Sequence, residues 1–179
     1  PSYEGKQVIV EGFVKEYYHT KYDSSIIKIE EENTTVTIFT EGKTDVEYGD
    51  KIQITGKVQK YKGEWEIISD SSLSLKVIQK WQNISMPLWQ IASNPTKYVG
   101  LNVNVTGYID TIYETYFYLI DQEEKHSMIV FCNLIDKNNS FSSGDKISVF
   151  GKFVFDEETF RYHLDLSEEN YGVLKLDGD

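Results

Sequence analysis

"GDKIQITGKV", residues 49–58, has a near copy in "GDKISVFGKF", residues 144–153. Upstream, "GKQVIVEGFV" (5–14) stands to the first copy as "GLNVNVTGYI" (100–109) stands to the second. Gly5, Gly12, Gly49, Asp50 and Gly56 each reappear 95 positions later, as Gly100, Gly107, Gly144, Asp145 and Gly151. Five coincidences at one offset indicate duplication, and the period is far longer than the roughly 20–50 residues of a solenoid unit. Each copy is therefore expected to be a small domain with its own core, the first over 1–84 and the second over 85–179.

The repeated segments alternate with period two. Val8, Val10, Gly12 and Val14 share one face, as do Ile52, Ile54, Gly56 and Val58, while Ile9, Glu11, Gln53 and Thr55 point the other way. The second copy keeps the phase through Val103, Val105, Gly107, Ile109 and through Ile147, Val149, Gly151, Phe153. Glycine weakens a strand, so its recurrence on the inward face of all four predicts a bend or bulge where a strand serves both sides of a small closed barrel. Between these strands, "SIIKIEEE" (25–32) and "TTVTIFTE" (34–41) read as a hairpin, and "EWEIISD" (64–70) as the return across the turn "KYKG". "YFYLIDQ" (116–122), "SMIVFCNL" (127–134) and "FRYHLDL" (160–166) are their counterparts. The expectation is five strands, twice, with a short helix over 86–93 inside "SMPLWQIASNP" (85–95), capped by Ser85 and ended by Pro95. Tyr98 matches Tyr3 at the common offset, so an equivalent helix is expected before Pro1 and the chain is expected to be a fragment of a longer protein.

Composition bounds the class. With 40% apolar and 14% aromatic residues, each half has material for a core. Mean hydropathy is −0.43, and no apolar run approaches the length of a membrane helix. The single cysteine, Cys132, leaves no internal disulfide or cysteine cluster, which fits a reducing compartment such as the cytoplasm and equally a secreted protein without disulfides. Four Asn-x-Ser/Thr sequons, at Asn33, Asn83, Asn104 and Asn138, read as chance in an Asn-rich chain.

A five-stranded barrel whose first strand reads "VIVEGFV", whose fourth reads "GDKIQITGKV" and which turns back by a hairpin into the fifth resembles the OB fold. The lead-in "NPTKYVGLNVNVTGYI" (94–109) looks like the start of the OB domains of the tRNA-anti-like and single-stranded-DNA-binding (replication protein A-like) groups. The resemblance implies an all-β chain of two tandem five-stranded OB-fold (Greek-key) barrels with a short helix at the entrance of the second. It also implies a ligand groove across strands two and three, walled by the strand 1–2 and strand 4–5 loops. In the first domain those walls hold Tyr17, Tyr18, Lys21 and Tyr22, then Lys57, Lys60, Tyr61, Lys62 and Trp65. Rings for bases to stack on and ammonium groups for phosphates are what single-stranded DNA or RNA needs. The same residues also suit a structural role, with aromatics pinning the rim and lysines keeping a turn soluble.

The second domain keeps the rings and loses the lysines. Its walls carry Tyr113, Tyr116 and Tyr118, then Phe160, Arg161 and Tyr162, among Asp110, Glu114, Asp156, Glu157 and Glu158. Up to residue 86 there are 11 lysines against 14 acids; beyond it, six lysines and Arg161 face 15 acids, so most of the net charge of −11 lies in the second half. An anionic groove repels phosphate. The first domain is thus the nucleic-acid candidate, and the second suits a protein partner or merely stabilises its neighbour.

Three readings stand side by side: a single-strand binder, a peptide- or carbohydrate-binding interaction or envelope module, and a regulatory part of a larger enzyme. Nuclease chemistry of the staphylococcal type takes a pair of arginines with clustered carboxylates, and this chain has only Arg161. His19, His126 and His163 lack metal-ligand spacing. No phosphate loop, acid/base pair or nucleophile triad is present, so neither an enzyme nor a cofactor is expected.

Overall fold

The computed structural model describes residues 3–32, 34–132 and 141–176; Pro1, the sequon residues Asn33 and Asn138, and the end of the third predicted strand of the second domain at Asn133 and Leu134 lie outside them. The chain divides into two compact units, Pro1–Trp81 and Gln82–Asp179.

The first unit runs β1 (Gln7–His19), β2 (Ser24–Glu31), β3 (Thr34–Glu41), β4 (Lys51–Tyr61), β5 (Glu64–Ser69) and β6 (Leu75–Gln79). Its sheet has the order β1-β2-β3-β5-β4-β6, and β1 also pairs with β4, which closes five strands into a barrel. Only β3 and β5 are parallel. The second unit runs β7 (Ser85–Pro87), α1 (Leu88–Ser93), β8 (Asn102–Ile112), β9 (Tyr116–Ile120), β10 (Ser127–Phe131), β11 (Lys146–Asp156), β12 (Arg161–Asp165) and β13 (Gly172–Lys175). Here β8-β9-β10-β12-β11 closes through β11–β8, with β10 and β12 parallel. Each unit is an OB barrel with the same strand order, and each lays a sixth strand, β6 or β13, along its fourth.

The alternation seen in the sequence is the alternation of burial. Val14, Ile27, Ile29, Ile38, Ile52, Ile54 and Ile67 form the core of the first barrel, and Val103, Val105, Ile109, Leu119, Val130, Ile147, Val149, Phe153 and Leu164 are buried in the second. The inward glycines mark close backbone crossings. A Cβ on Gly56 would lie 2.6 Å from the Ile68 carbonyl oxygen, and one on Gly107 would lie 2.7 Å from that of Ile120. The sequence pattern breaks at a bulge it does not announce. Val14 is paired with Ile29 but Glu16 with Lys28, so Lys15 is an extra residue and the phase of β1 reverses after it. Tyr17 thereby turns onto the core while Tyr18 turns outward.

The repeated Gly-Asp pair has a structural reason. Gly49 and Gly144 both take φ of +89°, a left-handed turn that suits glycine. Asp50, fully buried, accepts hydrogen bonds from the backbone N–H of Glu47 and of Trp81 and from the Lys80 ammonium, each at 3.0 Å. Asp145 repeats this, accepting from Ser142 N–H at 2.8 Å and pairing with Lys175 at 2.7 Å. Lys80 and Lys175 are themselves 95 residues apart. In each unit the carboxylate of the turn before the fourth strand is clasped to a lysine that follows or ends the sixth.

Two expectations about the helix are corrected. It spans Leu88–Ser93, burying Leu88 and Ile91, and Pro87 is its N-cap residue without a side-chain cap bond. Ser85 does not cap it but pairs with Asn104 in the short parallel strand β7, because the chain enters the barrel edge before it coils. Asn104 is buried, its amide donating to the Gln82 carbonyl at 2.6 Å and its oxygen accepting from Ser148, which removes that sequon from any surface. Among the described residues no helix is long and apolar enough to cross a membrane.

Candidate functional site

In the first barrel, register and burial define the outer face. Ile26 stands opposite Phe39, Phe39 opposite Ile68 and Ile68 opposite Lys57; the next row is Lys28, Thr37, Glu66 and Gln59. From β1, Tyr18 joins the first row beside Ile26 and Glu16 joins the second beside Lys28. These rows run across the strands, with the turn after β1 beyond one side and the turn after β4 beyond the other. The floor is electrically quiet. Lys28 is bound to Glu16 at 2.7 Å, and that hydrogen bond and charge hold its ammonium above the usual lysine range; Lys15 lies 3.6 Å from Glu30.

Further cations sit on the walls. In the turn 20–23, Thr20 Oγ1 accepts from Tyr22 and Ser24 N–H, Asp23 adopts φ of +58°, and Tyr22 is left 78% exposed with Lys21 Nζ 5.0 Å from its ring centroid. On the other wall Lys62 and Gly63 make the hairpin turn at φ of +50° and +94°. Tyr61 is exposed with Lys62 5.2 Å over it, and Trp65, opposite Lys60 in register, carries the Lys60 ammonium at 5.7 Å. The nine wall residues of the sequence reading are not equivalent. Tyr18, Lys21 and Tyr22 gather on one side; on the other, Tyr61 continues the outward phase of Gln59, with Lys62 in the turn, while Lys60 and Trp65, paired in register, continue the inward phase of Val58 and Ile67. Lys57 shares a strand face with Ile68 and not with Lys60. Tyr17 packs on the core 5.0 Å from Tyr48, and burial together with Tyr48, Glu47 and Asp45 pushes its phenol up; it offers no ring to the groove. The floor residues Ile26, Thr37 and Phe39 were missed, although they are the outward phase of the hairpin 25–41.

The second barrel presents a different face. Its rows are Tyr116, Phe131, Asp165, Lys152 and Tyr118, Ile129, His163, Val154. Tyr113 stacks on Tyr116 at 4.6 Å and 21°, Tyr118 stands edge-on to both at 6.2 and 5.9 Å, and Phe131 follows at 6.0 Å from Tyr116 with His163 5.0 Å beyond. Burial and the neighbouring Tyr113 and Tyr118 phenols push the Tyr116 phenol up. A recess of about 400 Å³ between Tyr118, Ile129, Phe160, Arg161 and Tyr162 continues the face. Phe160 is 80% exposed, Arg161 stands opposite Asp156, and Tyr162 is half-buried, stacked on Phe153 at 5.5 Å. Phe131 was not singled out in the sequence and His163 was weighed there only as a metal ligand; only the strand register brings them beside the tyrosines.

Among the described residues the remaining histidines and the cysteine have local partners or are buried. His19 shares a hydrogen bond with Ser25 at 2.9 Å, and His126 lies 2.6 Å from Asp121, whose carboxyl that bond holds below the usual range. Cys132 is buried, which pushes its thiol up. Among the described residues no three His, Cys, Asp or Glu side chains gather as a metal site.

No protein-family model and no curated protein matches the chain. Among solved structures it is similar to asparaginyl-tRNA synthetase from Pyrococcus horikoshii, at 18% identity and a TM-score of 0.38, over 45% of this chain and 21% of that one. The chain thus spans about a fifth of the synthetase's length. It is also similar to the p204 HINb domain, at 12% identity and a TM-score of 0.37 over 97% of this chain and 99% of that one. A third is the Ifi202 HINa domain in complex with 20 bp double-stranded DNA, at 14% and 0.38 over 94% and 98%. The fold assignment rests on the strand order described above.

Proposed function

We propose that the protein is a non-catalytic binding protein that holds single-stranded DNA or RNA across the outer face of its first barrel. One observation carries this reading: exposed rings with a lysine over them stand at both turns that flank one face, Tyr22 with Lys21 at one and Tyr61 with Lys62 at the other, with Trp65 and Lys60 on the opposite strand phase of that second hairpin. A base stacked on such a ring gains about 1–3 kcal/mol, and the ammonium beside it is within reach of the adjoining phosphate. Tyr18 adds a fourth exposed ring, and Ile26, Thr37 and Phe39 give a floor without net charge. The resemblance of the repeated motifs to single-stranded-DNA-binding OB domains supports the same choice. With stacking and phosphate contacts alone, sequence preference is weak.

The test is fluorescence anisotropy of labelled dT and rU oligonucleotides of about 25 nucleotides, titrated at low and moderate salt. Affinity is expected to fall with salt, with a log–log slope near −2 for three lysines at roughly −0.7 each. The Tyr61→Ala, Trp65→Ala double variant is expected to weaken binding at least tenfold, as the loss of two stacking platforms implies. Absence of binding at low salt overturns the reading.

A further inference from the structure

The outer face of the second barrel has no place in that reading, and its chemistry is of another kind. Tyr113, Tyr116, Tyr118 and Phe131 form one continuous array, of which Tyr113 and Phe131 are 46% and 42% exposed. Acids frame it. Asp165 lies beside Phe131 in register, Glu114 follows Tyr113 in the wall turn, and Asp156, Glu157 and Glu158 make the opposite turn, where Asp156 accepts hydrogen bonds from Thr159 and from Glu158 N–H. Lys152 and Arg161 each stand opposite an acid, Asp165 and Asp156, and Lys146, at the start of β11, stands opposite Tyr108. The positions that correspond across the two barrels sharpen the contrast. Where the first has Ile26, Lys28 and Thr37, the second has Tyr116, Tyr118 and Ile129.

Neutral rings framed by carboxylates attract cations and repel a polyanion. Ring faces bind guanidinium and ammonium groups through their quadrupole, best where carboxylates nearby add Coulomb attraction. We infer that the face of β9, β10 and β12 is a docking surface for an extended, arginine- and lysine-bearing segment of a partner protein, its cationic side chains lying on Tyr113, Tyr116, Tyr118 and Phe131 and pairing with Glu114 and Asp165. Charge complementarity chooses this occupant over nucleic acid. Guanidinium, flat and weakly hydrated, is favoured over ammonium on such a surface.

The experiment uses the full chain and four fluorescent probes: nine-residue Gly/Ala peptides carrying three arginines, three lysines or three glutamates, and the dT oligonucleotide. Expected is binding of the arginine peptide, several-fold weaker binding of the lysine peptide and none of the glutamate peptide. The Tyr116→Ala, Tyr118→Ala variant should lose at least tenfold in arginine-peptide affinity, while Tyr61→Ala, Trp65→Ala leaves it unchanged. Should the former variant fail to fold, Tyr113→Ser and Glu114→Lys, both on the exposed wall turn, serve in its place and should each cost at least threefold. Arginine-peptide binding that survives these substitutions is mere attraction to an acidic protein and overturns the inference, as does no binding at low salt. Dependence of dT binding on Tyr116 overturns it too and moves the nucleic-acid site to this barrel, whereas loss of dT binding alone overturns only the first-barrel reading.

Discussion

Gly56 has no room to become anything else. A Cβ there would meet the Ile67 methyl at 2.5 Å and the Ile68 carbonyl oxygen at 2.6 Å, and the second contact is backbone that cannot rotate away. At Gly12 the nearest atom, the Glu30 carbonyl oxygen, is 3.0 Å away. Gly56→Ala is therefore expected to destabilise the protein by about 1–3 kcal/mol, the range for forcing extra volume into a packed interior, and Gly12→Ala by less. Urea unfolding of the two variants measures this, and equal midpoints would refute the close-crossing account. That a glycine belongs on the inward face could be read from its phase in four strands. Which atoms press on it could not, because that depends on the register and coil of the β4–β5 hairpin, which alternation alone leaves open. Tyr17 illustrates the opposite limit: its neighbours in sequence are those of a wall residue, and one extra residue at Lys15 turned it onto the core.

Among elements, the strands carrying the repeated glycines were legible because period-two alternation persisted over many residues. β6, β7 and β13, of three to five residues, lacked that length. The turn before each fourth strand was legible as Gly-Asp but not in its purpose, since its lysine partner comes 30 residues later and follows or ends one of those short strands. The second of these clasps gives a pH prediction. The Lys175 hydrogen bond, then that from Ser142 N–H, holds Asp145 below the ordinary carboxylate range. Its contribution is complete above the unfolded carboxylate value of about 3.9 and is lost as pH falls through the lower folded value. Thermal melts of Asp145→Asn beside the wild type should thus show a constant deficit above about pH 5 that shrinks below pH 4. A deficit independent of pH throughout would show that the ion pair is not its source. The aromatic rows followed a similar rule: tyrosines adjacent in sequence were found, whereas Phe131 and His163 entered through register.

At the scale of the whole molecule, the first unit possesses its own closed sheet, core and clasp, and residues 1–84 are expected to fold alone with a cooperative melt, followed by far-UV circular dichroism. Ending the fragment at residue 70 removes β6, Lys80 and Trp81, leaves Asp50 buried without two of its donors and should abolish that melt. A cooperative transition in the shorter piece would mean that five strands suffice. The overall charge of −11 said little about either face, since lysines cluster at the rims of one barrel and acids at those of the other. What the clasp adds concerns transfer. A barrel lifted out of this chain keeps its tie only if the piece runs past the fifth strand to Lys80 or Lys175, so the transferable unit is six strands long.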